Sequence, residues 1–205
     1  MTRRRRVIKL GGSLLDLDDL VPRFRQWLAG QRAAVNVLIA GGGRLADVVR
    51  EADRRHRLGE VAAHWLAVQA MALNGEMLRA LLAEATDCRS AAEVAGRESP
   101  CLCILDPWTW LKNEEPWQQG CALPASWRVT SDSIAARLAH GLDAELVLLK
   151  SALPERSATG APATIAAAAT AGYVDAYFPT AAAGLVTVRC VDLRNDALAE
   201  MPLEA

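Results

Sequence analysis

Aromatic side chains are scarce, 5% of 205 positions, and neither sign of charge dominates, since 23 Lys and Arg face 24 Asp and Glu for a formal net charge of −1. Without a global field there is nothing to gather nucleic acid or an anionic membrane, so neither is expected as a partner. No run reaches the roughly 18 apolar residues of a membrane span. The one basic block, Arg3 to Arg6, passes through Val7 to Leu10 directly into glycines, without the apolar core of a signal peptide. These absences predict a cytoplasmic protein with a solvated basic tail. Five cysteines (Cys88, Cys101, Cys103, Cys121, Cys190) show no CxxC spacing, which favours buried, reduced thiols over a disulfide framework or a metal site. Fixed-period repeats, heptads and low-complexity linkers are also missing, which leaves the order of elements as the only organisation to read.

What the chain has is apolar mass, 52% of residues and mostly Ala, Leu and Val, enough for one domain with a sizeable core. Val7 to Leu10 is too short for a helix and ends at Gly11-Gly12, as a buried strand feeding a tight loop would. Leu20, Val21, Phe24, Trp27 and Leu28 then recur at helical spacing, with Asp18 or Asp19 as the cap, Pro22 in the first turn and Gly30 as the stop. The pattern repeats in Val35 to Ala40, Gly41-Gly42-Gly43 and a helix marked by Leu45, Val48, Val49 and Ala52. Two successive strand-loop-helix units predict a parallel sheet in an α/β fold.

A longer helix is expected over Val61 to Leu82, suited to internal packing or to pairing of subunits. A strand follows over Cys101 to Leu105, and then an irregular segment, Asp106 to Arg128, with three prolines and Trp108, Trp110, Trp117 and Trp127. Those tryptophans suit either a core or an acceptor site. After them come a helix from Ser131 to about His140, a strand from Leu146 to Leu149, a polar loop from Ser151 to Pro162, an alanine helix to about Thr170, and a closing strand from Leu185 to Val191.

Three places carry chemistry. Gly11-Gly12-Ser13 lies where a strand hands over to a helix, where bare backbone N–H groups and the helix terminus favour an anion. Gly41 to Gly43 repeats the arrangement at the adjacent strand, at the carboxyl ends where open α/β sheets bind ligands. Lys9 interrupts a buried strand, so its ammonium needs an anion, either a transferring phosphoryl group or a structural carboxylate at the sheet end. Lys150, at the end of Leu146 to Leu149, emerges at the same edge. Thr130-Ser131-Asp132 opens the next helix, and Asp132 serves as a cap or as the anion that holds both lysines. Gly41 to Ala46 also fits a relaxed G-x-G-x-x-A dinucleotide pattern, but no second strand with an acidic ribose ligand follows. Walker A and protein-kinase signatures are absent, yet phosphoryl transfer needs little beyond positioning and charge neutralisation.

The blocks Ile8-Lys9-Leu10-Gly11-Gly12-Ser13, Ala40 to Gly43 and Thr130 to Ala136 resemble, in that order, the amino acid kinase superfamily. The resemblance runs from Val7 to about Ser151. It implies a three-layer α/β/α sandwich with a mostly parallel sheet, formed by residues 1–205 as one domain, with an acceptor half over about 1–128 and a nucleotide half over about 129–205. It also implies ATP and Mg²⁺, a small-molecule acceptor and a homo-oligomer. Lys9, Asp132 and Lys150 would be catalytic. Gly11, Gly12, Ser13, Lys150 and Ser151 would hold ATP, while Gly41, Gly42, Gly43 and Ser131 would hold the acceptor, with no metal ligand on the protein. The Thr-Asp and Asp-Gly elements of many relatives are missing after Leu149, where Lys150 resembles the lysine of uridylate kinases. Val129 to Ser133 and Gly172-Tyr173-Val174-Asp175 resemble a small branch in methanofuran biosynthesis that phosphorylates an aminomethyl-furanmethyl phosphate. That likeness implies Tyr173 and Asp175 against the acceptor's ammonium. Another phosphate or carboxylate acceptor, or a non-catalytic nucleotide- or oxyanion-binding protein on the same fold, stays open.

Overall fold

Burial on both faces is what makes the first apolar run a strand. In the computed structural model, which describes residues 4–118, 120, 122–157 and 159–204, β1 (Arg5–Leu10) lies in the middle of a seven-stranded sheet. It pairs in parallel with β2 (Val35–Ala40) on one side and with β5 (Glu145–Lys150) on the other, so that Leu10 stands beside Ala40 and Leu149. All six residues of β2 are buried, the continuous apolar reading expected of a parallel strand covered on both faces. β4 (Cys101–Leu105) and β3 (Thr86–Cys88) extend the sheet beyond β2, while β6 (Val188–Asp192) and β7 (Glu200–Pro202) extend it beyond β5. Only β7 runs antiparallel.

Alternate residues of β1 feed two cores. Val7 packs with Val37, Ile39 and Leu148 beneath Val68 and Met71 of α3 (Glu60–Leu81) and Ile134 and Leu138 of α6 (Ser131–Gly141). Ile8 and Leu10 pack on the opposite face with Leu20, Phe24 and Trp27 of α1 (Leu20–Ala29). Helices on both faces of a mostly parallel sheet make the three-layer sandwich expected from the strand-loop-helix repeats.

Several expectations need correction. The basic block is not a solvated tail: Arg5 and Arg6 begin β1, and Arg6 is only 1% exposed. Its guanidinium bonds Glu145, Asn36 Oδ1 at 2.8 Å and the Arg32 carbonyl at 3.2 Å, while Arg3 lies outside the described residues. The segment from Asp106 is only partly irregular, because α5 (Pro107–Asn113) is a helix. Pro107 occupies its first turn, where no N–H is needed, and the Asp106 carboxylate accepts from the Trp108 and Thr109 amides at 3.0 and 3.4 Å. The closing strand starts at Val188, not Leu185, and is followed by β7. α4 (Ala91–Ala95), α7 (Ile165–Thr170) and α8 (Phe178–Ala181) complete the helices with α2 (Gly43–His56). In α2 the apolar residues Leu45 and Val48 face outward and the small Ala46 faces inward.

The four tryptophans divide between roles. Trp110 is fully buried, Trp108 stands edge-on to Trp65 at 5.4 Å, Trp117 is 85% exposed, and Trp127 lines a cavity described below. Cys88, Cys103 and Cys190 are buried free thiols and Cys101 is half-buried, while Cys121 lies outside the described residues. Replacing Arg6 by Ala leaves Glu145 without its most deeply buried partner. Glu145 keeps Arg189 at 3.1 Å, so the expected loss is toward the low end for a broken buried pair, about 3 kcal/mol, measured by urea unfolding at pH 7.

Candidate functional site

Lys9 follows the rule that a buried ammonium must find an anion. It is 5% exposed, and its Nζ lies 2.9 Å from Asp132 Oδ1. Lys150, at the end of the neighbouring strand, donates from Nζ to Asp132 Oδ2 at 2.8 Å and to the Tyr173 carbonyl. The Lys9 contact is a charge contact more than an aligned hydrogen bond, because Oδ1 is left without a hydrogen-bond partner. Asp132 reaches both lysines from the first turn of α6. Two lysines thus share one buried carboxylate, with Asp175 a further negative group acting on Lys9.

The pKa directions follow from that arrangement. Burial is the main influence on Lys9 and lowers its pKa; Asp132 opposes the fall and Lys150 adds to it. Burial pushes the Asp132 carboxyl upward, but Lys9 and Lys150 together outweigh it and leave the carboxyl below the usual aspartate range.

Beside this cluster the two glycine loops touch backbone to backbone. A Cβ on Gly12 would lie 2.1 Å from the Gly43 nitrogen, and one on Gly41 would lie 2.6 Å from the Gly12 nitrogen. Gly43 also has φ +51°, a conformation that favours glycine. The second loop is held from below by Asn74 of α3, whose Nδ2 donates to the Gly41 and Gly42 carbonyls at 2.8 and 2.9 Å. Asn74 was not singled out in the sequence, although a polar residue on the apolar stripe of a long helix was the signal that could have found it.

On the other side of β1, Ser13 and Ser151 face each other, with their hydroxyls 3.3 Å apart. Arg194, also missed, donates to the Ser13 carbonyl at 3.2 Å. Tyr173 packs its ring 4.6 Å from Lys150 Nζ and donates its hydroxyl to the Ala152 carbonyl at 3.1 Å. These contacts place Ser13, Lys150, Ser151 and Tyr173 around one notch.

Asp175 is engaged within the protein. Its carboxylate accepts from the Thr130 and Ser133 amides at 3.0 and 3.1 Å, their hydroxyls at 2.8 and 2.5 Å, and the Tyr177 amide at 3.1 Å. Five donors use its capacity, so Asp175 caps the amino end of α6 and fixes Asp132 and Ser131 in place.

A cavity of about 230 Å³ opens next to the glycine loops. Gly12, Ser13, Gly42, Gly43, Thr130 and Ser131 line it together with apolar Ala67, Val68, Met71 and Ile134 and with Asp47, Arg50, His64 and Trp127. Burial lowers the His64 pKa, and its Nδ1 lies 3.1 Å from the Ser126 carbonyl. No family model matches the chain. By sequence, the chain is 28% identical over 147 residues to the [5-(aminomethyl)furan-3-yl]methyl phosphate kinase of Methanocaldococcus jannaschii. The match covers 70% of this chain and 63% of that protein. By structure it matches uridylate kinase from Archaeoglobus fulgidus with a TM-score of 0.61 at 15% identity, over 91% of this chain and 89% of that one. It matches the aspartate kinase of Clostridium acetobutylicum with a TM-score of 0.57 at 10% identity, over 94% and 61%.

The chain has the amino acid kinase fold.

Within this amino acid kinase fold the sheet order puts the residues of the first half, β2, β4 and β3, on one side of β1, and β5, β6 and β7 on the other. The Lys9–Asp132–Lys150 cluster stands between the glycine loops that line the 230 Å³ cavity and the Ser13–Ser151 contact at the end of β5. Among the described residues no three His, Cys, Asp or Glu come together as metal ligands.

Asp132 also sets a pH signature. Its carboxyl is more acidic folded than unfolded, so its contribution to stability is complete above the ordinary aspartate range near pH 4 and is lost as pH falls through the lower folded value. Asp132→Asn should flatten the loss of unfolding free energy between about pH 4 and pH 2, read by urea titration against the parent protein.

Proposed function

We propose that the protein is an ATP-dependent kinase that transfers the γ-phosphoryl group to a small phosphate-bearing acceptor. The observation that carries this reading is the buried Lys9–Asp132–Lys150 cluster at the point where two glycine loops meet. A transferring phosphoryl group spreads negative charge over its oxygens, and fixed ammonium groups and backbone N–H groups stabilise that charge without reorganising.

ATP enters the notch at Gly11, Gly12, Ser13, Lys150 and Ser151, and the acceptor lies in the cavity against Gly41 to Gly43 and Ser131. An acceptor oxygen attacks the γ-phosphorus as the bond to the β,γ-bridging oxygen breaks, and ADP leaves with that electron pair. A phosphate monoester is already anionic, so no protein base is required, and the product is a diphosphate. Lys9 lies on the phosphoryl group in flight, Lys150 on the donor phosphates, and Asp132 holds both lysines. Mg²⁺, carried by the nucleotide, supplies further charge neutralisation. The finer assignment, [5-(aminomethyl)furan-3-yl]methyl phosphate as acceptor, is supported by the 28% identical relative named for that activity.

The test is ADP release from Mg-ATP with that furan phosphate, simple alkyl phosphates, nucleoside monophosphates and amino acids. Turnover of the furan phosphate above the rest is expected, and Lys9→Ala should lower kcat by about 10²–10³-fold while ATP binding, measured by calorimetry, stays within a few-fold. A fully active Lys9→Ala protein overturns the mechanism. ATP binding with no turnover of any acceptor points instead to a binding protein on the same fold.

We further propose a homodimer joined through α3. Of ten exposed large apolar side chains among the described residues, eight lie between Leu45 and Leu81, and Leu66, Leu73, Met77 and Leu81 recur along one helix at spacings of seven and four. A helix pair in two-fold contact buries such a seam against itself. Leu73→Glu should convert a dimer to a monomer in light scattering, and a monomeric parent protein contradicts the pairing.

A further inference from the structure

The cavity is of mixed character, and this bears on what the acceptor must carry. Its lining combines glycine-loop backbone and the Ser13, Thr130 and Ser131 hydroxyls with apolar Ala67, Val68, Met71 and Ile134, and the only formal charges among the lining residues are Asp47 and Arg50, one turn apart on α2. Arg50 is already engaged: its Nη1 donates to Asp47 Oδ1 at 2.6 Å, and its guanidinium lies 5.1 Å from the centroid of the Trp127 ring. Trp127 is in turn fixed to α2 by its indole N–H, which donates to Asp53 Oδ2 at 2.8 Å. Asp47 Oδ2 has no partner among the described residues, and the Asp47 side chain is 67% exposed.

His64 also lines the cavity. A carbonyl only accepts, so the 3.1 Å contact with Ser126 requires the proton on Nδ1. The ring also has a backbone hydrogen bond to Val129, so His64 is engaged within the protein. Of the charged pair, Arg50 is spent and one carboxylate oxygen of Asp47 is left to offer.

We propose that Asp47 selects acceptors carrying a protonated amine about one ring's width from the phosphate. This rests on the kinase reading above. Asp47 binds the ammonium through Oδ2, the apolar side chains hold the ring, and the glycine loops hold the phosphate. Asp175, saturated by five donors, cannot take that place.

The test compares two acceptors that differ only in the amine, [5-(aminomethyl)furan-3-yl]methyl phosphate and (5-methylfuran-3-yl)methyl phosphate, in steady-state turnover and in calorimetric binding without nucleotide. The parent protein should prefer the amine by about tenfold to a hundredfold in kcat/KM, carried by KM, as a charge-assisted hydrogen bond predicts. Asp47→Asn should erase most of that preference, and Asp47→Glu should restore part of it. If the parent uses both furans equally, or Asp47→Asn keeps the full preference, the assignment to Asp47 is wrong while the kinase stands. If neither furan is bound or turned over and another acceptor is, the acceptor reading fails and takes this inference with it.

Discussion

Two lysines on one buried carboxylate form the interaction that orders the rest of the site. Lys9 and Lys150 leave adjacent parallel strands, and Asp132 meets both from the first turn of α6 at 2.9 and 2.8 Å. One carboxylate faces both lysines, and burial withholds water from them. Lys9 responds with a lowered pKa and Asp132 with a deepened acidity. In the proposed kinase, a phosphoryl group would supply further negative charge to this cluster.

That cluster depends on a backbone constraint of comparable strictness. The loops after β1 and β2 approach until no Cβ fits between Gly12 and Gly43. The register of the two strands brings this about, since Lys9 stands beside Ile39 and Leu10 beside Ala40, so both loops leave the sheet at the same height. Asn74 then ties the second loop to α3, and Asp175 ties the start of α6 to the 173–177 turn. The sheet sets where the loops begin, and these two polar side chains set where they point.

The parts of this arrangement that were legible in the sequence are those where local chemistry and fold agree. Lys9 in an apolar strand, paired glycines at successive strand ends and an acid at a helix start each signal their place without tertiary knowledge. The misreadings arose where one local signal admits two meanings. Pro107 looked like a breaker because its neighbours include two more prolines, yet after an aspartate cap it opens α5. Leu45 and Val48 kept helical spacing, but the side of α2 they mark is the outer one. Arg6 belonged to a run of like charges that suggested solvent, and only the pairing of β1 with β5 brings Glu145 to it. Asp175 sat after an apolar run, where nothing in sequence shows how many donors converge on it.

Acceptor chemistry was the least legible, for a physical reason. In the proposed reaction, donor phosphates and the transferring group would be held by backbone and by ammonium groups at strand ends, positions that strand and loop patterns mark. Part of the cavity's wall is made of Asp47 and Arg50, one turn apart on α2, with His64 from α3 and Trp127 from a loop some seventy residues further along the chain. Individually these read as a solvated helix face, a core histidine and a loop tryptophan. They become a recognition surface only because the Arg50–Trp127 stack and the Trp127–Asp53 hydrogen bond draw the loop onto α2. The residues of the proposed phosphoryl-transfer centre are thus marked in local sequence, whereas the cavity beside it rests on contacts that exist only after the layers have packed.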